Sequence, residues 1–109
     1  MLAKKDNFVY DYYTYFYQEG VFPDMKVWAS LHKNNETLCR VTRESDHPDA
    51  SEALMECLEQ IYKELDIAEP VWVKKHAVEL SRYHRVKFLP ADFIESVDFD
   101  WLEIEFTTL

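Results

Sequence analysis

Between Lys74 and Lys87 the chain carries Lys74, Lys75, His76, Arg82, His84, Arg85 and Lys87 against a single acid, Glu79. Between Asp92 and Glu105 it carries Asp92, Glu95, Asp98, Asp100, Glu103 and Glu105 and no base. Cations at that density suit an anionic ligand. Lys74, Lys75, Arg82, Arg85 and Lys87 are the candidate ligand- or partner-binding residues. Trp72, Tyr83 and the histidines could stack on nucleic-acid bases beside them. The competing reading is internal: the basic segment neutralises the acidic end of its own chain. Surface pairs of that kind stabilise by about 0–1 kcal/mol each.

Other chemistries find less support. His76 and Glu79 stand three residues apart, so a helix would place both on one face. A zinc site needs three or four converging ligands, and this pattern offers two, so no metal is expected. Asp98 and Asp100 share a face of an extended chain and could hold Mg²⁺ in the manner of a nuclease. Glu103 and Glu105, however, are already explained as the polar positions of a half-buried strand. Cys57 falls on an apolar helical stripe, where a thiol packs rather than reacts. Cys39 has no recognisable catalytic partner. The single glycine, Gly20, excludes the glycine-rich loops that cradle nucleotide phosphates. No catalytic residue and no cofactor are expected.

The formal net charge of −9 disfavours broad binding to nucleic acid or to anionic membranes. It leaves a local basic patch open. The 109 residues suit one domain with a modest core. An aromatic content of 16% lets a small domain bury much area per residue. No leader-like or membrane-spanning apolar run is present. Both cysteines are read as reduced, buried residues of a cytoplasmic protein.

The elements that must position these groups follow from periodicity. Lys26–His32 alternates, with Val27, Ala29 and Leu31 on one face and Trp28, Ser30 and His32 on the other. Thr37–Arg43 also alternates, and the asparagines between them signal a hairpin. A two-residue Asn34-Asn35 loop would oppose Trp28 with Val41. A three-residue loop, Lys33–Asn35, would oppose Val27 with Val41 and Ala29 with Cys39, and is preferred. Ala50, Ala53, Leu54, Cys57, Leu58, Ile61, Tyr62 and Leu65 make a helical stripe, capped by Asp46 or Asp49 with Pro48 in the first turn. Residues 70–84 read as a second helix with Pro70 near its first position and Val73, Ala77 and Leu80 inward. Asp92–Glu95 reads as a short helical turn. Trp101–Phe106 alternates as a strand with Leu102, Ile104 and Phe106 on the buried side. The predicted fold is α+β, in the order β-β-α-α-β. It has a small antiparallel sheet, built from the hairpin plus a C-terminal strand, with two main helices on one face.

Residues 1–24 stand apart as an N-terminal extension, and 25–109 form the single α+β domain. The stretch Phe8–Tyr17 holds five of the seven tyrosines. It is read either as a dimer contact or as an over-long start, because Met25-Lys26-Val27-Trp28 resembles the opening of a chain. The leading functional expectation is a small acidic cytoplasmic accessory protein without catalytic activity. It would act through protein–protein interaction and form a homodimer. A nucleic-acid accessory protein using segment 74–87 is the alternative, and an acidic decoy for a basic partner protein is the third reading. No membrane partner is expected.

Overall fold

A computed structural model describes residues 25–108. The expectations for residues 1–24, a dimer contact or an over-long start, lie outside the described residues. Strands β1 (Met25–Lys33) and β2 (Glu36–Ser45) form the hairpin. Helices α1 (Ala50–Leu65) and α2 (Lys74–Tyr83) follow. Then come β3 (Arg85–Phe88), a 3-10 turn at Pro90–Asp92, and β4 (Trp101–Thr108). The sheet is antiparallel in the order β2-β1-β4-β3. The fold is α+β as expected, with one further short strand, β3, ahead of the last.

The hairpin turns through Asn34 and Asn35 with φ of 54° and 64°. Two successive left-handed residues match the twist of the flanking strands, so the loop has two residues rather than three. A β-bulge between Leu31 and His32 then shifts the register. Beyond it Val41 faces Ala29 and Cys39 faces Leu31, a pairing neither simple loop produces. The extra residue keeps Val41 on the helix-covered side, packed against the core.

Asp49 caps α1, accepting from the Ser51 and Glu52 backbone N–H groups at 2.9 and 3.2 Å. Pro48 therefore precedes the cap. The stripe from Ala53 to Tyr62 is buried as its spacing requires, and Met55 widens it. Asp66 ends the helix in the left-handed conformation, φ 57°. The second helix begins at Lys74, not near Pro70; residues 70–73 are extended. Its first turn is held by His76, whose Nδ1 accepts the Val73 N–H at 3.1 Å. Val73 is 43% exposed, and the inward side is His76, Ala77 and Leu80. His84 stops the helix at φ 59° and turns the chain into β3.

Val27, Ala29, Val86, Phe88, Leu102 and Ile104 form the sheet's contribution to the core, none more than 1% exposed. Both helices cover this one face, α1 over β1 and β2 and α2 beside β3. Cysteine placement departs from expectation. Cys57 is buried, but Cys39 is exposed because β2 is an outer strand that the helices only partly cover.

Candidate interaction surfaces

The fold splits the basic segment in two. Lys74, Lys75 and Arg82 stay exposed on α2 and meet no ion-pair partner among the described residues. Arg85 and Lys87 turn onto β3, whose register sets Arg85 opposite Glu105 and Lys87 opposite Glu103. Arg85 lies 3.8 Å from Glu103 and 3.6 Å from Glu105. Lys87 Nζ sits 4.6 Å above the Trp101 ring. The acidic end of the chain thus meets Arg85 on the strand half of the basic segment and, on the helical half, His76 through Asp92, but not Lys74, Lys75 or Arg82.

The face of the sheet away from the helices assembles a group that strand alternation implies only in part. Trp28, Ser30 and His32 from β1 meet Trp101, Glu103 and Glu105 from β4. Trp28 donates its indole N–H to Glu105 Oε1 at 2.7 Å. His32 stacks on Trp101, ring centroids 4.7 Å apart and 10° from parallel, and shares a hydrogen bond with Ser30 Oγ at 2.8 Å. Trp101 therefore lies between an imidazole on one strand and an ammonium on another, a cation–π arrangement. Its own Nε1 is buried without a hydrogen-bond partner among the described residues. Both tryptophans are half-buried, and no described element packs over them. Trp101 drew no attention in the sequence, since its position depends on β4 lying beside β1.

On the opposite side His76 and Asp92 tie three segments together. His76 is 1% exposed. Because Nδ1 accepts a hydrogen bond, the ring proton belongs on Nε2, which lies 3.4 Å from Asp92 Oδ2 without good hydrogen-bond alignment. The Asp92 carboxylate accepts the Leu89 N–H, and its backbone carbonyl accepts the Val71 N–H, each at 2.8 Å. The ring packs between Trp72 and Phe88. His76 does not pair with Glu79 as a metal-binding couple would; it faces Asp92 and holds the start of α2. Among the described residues no group of three or more histidines, cysteines or acids could hold a metal ion.

Two clefts flank the end of α1. One of about 740 Å³ is lined by Glu56, Glu59, Asp66, Glu69 and Glu95 among others. Burial, then the nearby Glu59 carboxylate, pushes the Glu69 carboxyl up from its ordinary range. Tyr62 also lines this cleft, but its hydroxyl is fully buried beside the Trp72 indole. The second, of about 340 Å³, runs between Leu31, Leu38, Ile67 and Phe99. Among thiols, burial lifts Cys57 to about 11, which removes it from nucleophilic chemistry at neutral pH. No helix of the described residues is long and apolar enough to cross a membrane.

Comparison with protein families, curated proteins and solved structures finds no match to this chain.

Proposed function

We propose that this protein is a non-catalytic interaction module of the cytoplasm, presenting the uncovered face of its sheet to a protein partner. The observation that carries the reading is the pair of tryptophans held in place on that face. Trp28 is fixed by Glu105 and Trp101 by His32 and Lys87. Tryptophan and arginine are the residues that most often dominate binding energy at protein interfaces. Aromatic side chains fixed beforehand lose little conformational freedom on binding. The surrounding charges are mixed, with Lys26, Arg40, Arg85 and Lys87 against Glu44, Glu103 and Glu105. A mixed rim suits a protein surface better than a polyanion.

The test is capture from lysate of the native host on immobilised full-length protein, with W28A and W101A beside it. Far-ultraviolet circular dichroism first shows that all three fold. Proteins retained by the parent and lost from both variants are the expected result. An identical retained set on all three overturns the reading. The same eluates distinguish the nucleic-acid alternative. Retained nucleic acid, released by moderate salt and lost on reversing Lys74, Lys75 and Arg82 to Glu, would replace the protein partner with a polyanion.

A further inference from the structure

The outer edge of β2 offers ten residues of backbone, Glu36–Ser45, which among the described residues pair with β1 on one side only. The opposite edge, β3, offers four. Backbone groups of an antiparallel strand point alternately to its two sides. The Thr42 carbonyl accepts from Arg43 Nη1 at 2.7 Å, a side-chain donor standing where a further strand would bring a backbone N–H. Arg40, Thr42 and Glu44 are exposed on the uncovered face, opposite Ser30, Trp28 and Lys26. Neither Arg40 nor Glu44 has an ion-pair partner among the described residues. Among the described residues, two unpaired charges of opposite sign therefore flank a threonine on an edge that no further strand covers.

We propose that β2 pairs antiparallel with β2 of a second copy of this chain, with the two-fold axis at Thr42. In that register Arg40 faces the partner's Glu44, Glu44 faces the partner's Arg40, and Thr42 faces the partner's Thr42. Opposite charges and paired threonines are both favourable across strands. Moving the axis to Arg40 sets that cation against itself. Moving it to Val41 leaves both charges unmatched, and moving it to Arg43 sets that guanidinium against itself and Glu44 against the partner's Thr42. Shifting the register by one residue puts the uncovered face of one copy beside the covered face of the other. An axis at Leu38 would match Arg40 with the partner's Glu36, but Leu38 lies in the bulge, outside the regular ladder. Among axes in the regular part of β2, Cys39–Ser45, charge complementarity thus selects one arrangement. At the Thr42 carbonyl the partner's Thr42 N–H replaces the Arg43 guanidinium, which keeps its 2.8 Å contact with Glu64. The two sheets become one of eight strands, an isologous dimer. This surface does not depend on which protein the tryptophans bind.

Sedimentation equilibrium of the full chain, from low to high micromolar, tests the proposal with R40E, E44R and the double variant R40E/E44R. The parent and the double variant dimerise. Each single variant weakens association about tenfold or more, since attraction becomes repulsion twice per dimer. An equimolar mixture of the two single variants recovers the dimer, because one carries two acids in the row and the other two bases. In a C39S background, T42C cross-links to itself on mild oxidation, since directly opposed strand residues lie within disulfide reach. A monomeric parent overturns the proposal. So does a dimer that the single reversals leave intact, a loss that the mixture does not restore, or a dimer in which T42C fails to cross-link.

Discussion

Strand β4 has two faces with different physics. Leu102, Ile104 and Phe106 are 0–3% exposed and meet the helices. Trp101, Glu103 and Glu105 alternate with them, half-buried, and meet a histidine, an arginine, a lysine and another tryptophan. The first face stabilises by removing apolar area from water, a contribution that adds up over many contacts. The second depends on directional pairs, each small and partly screened. Fold stability and the recognition proposed above therefore fall to alternate residues of one strand. A substitution on one side can leave the other side's work untouched.

That separation can be broken or sharpened by measurement. The largest effect is expected at the covered face: Ile104→Ala costs about 2–5 kcal/mol in urea unfolding. A cost near that of a surface pair would show that the helices do not hold the sheet. Next comes Cys57, also on the covered side. Its folded-state ionisation lies at about 11, above that of an unfolded thiol. The unfolded chain therefore releases the proton first, and stability is lost as pH climbs through that interval. The expected loss is on the order of 2 kcal/mol. Cys57→Ala flattens this part of the stability–pH curve, which pH-dependent urea melts record. The smallest effect belongs to the uncovered face. Arg85→Ala removes both contacts to Glu103 and Glu105 and costs about 0–1 kcal/mol, less at high salt. A larger, salt-independent loss would mean that the uncovered face holds the fold as well.

Helix α1 was legible in the sequence because its signals are local: a long apolar period and an aspartate in capping position. The start of α2 was not. Proline at 70 is a sound local signal, but the first helical turn is stabilised by the His76 ring reaching back to Val73, and that ring is fixed by Asp92 and Phe88. Strand β3 was hidden for a related reason. Its alternation of Arg85, Val86, Lys87 and Phe88 is visible, but a helical reading ran up to it. The break comes from His84 in a left-handed conformation more often taken by glycine or asparagine. The hairpin bulge has no sequence marker at all. For the uncovered face, alternation identified Trp28 and His32 on the polar side of β1. Bringing Trp101 beside them needed the β1–β4 pairing, which joins positions 69 to 83 residues apart.

That pairing also has a consequence for how the protein is made. β4, the last described strand, inserts between β1 and β3. On the ribosome, the hairpin and α1 emerge first, with the inner edge of β1 unoccupied. At about 5–20 residues per second the wait from Ser45 to Trp101 lasts roughly 3–11 s. Throughout that interval a nascent apolar surface and an open strand edge are exposed together. A stall in translation before residues 101–108 arrive leaves that edge open and the product prone to aggregate.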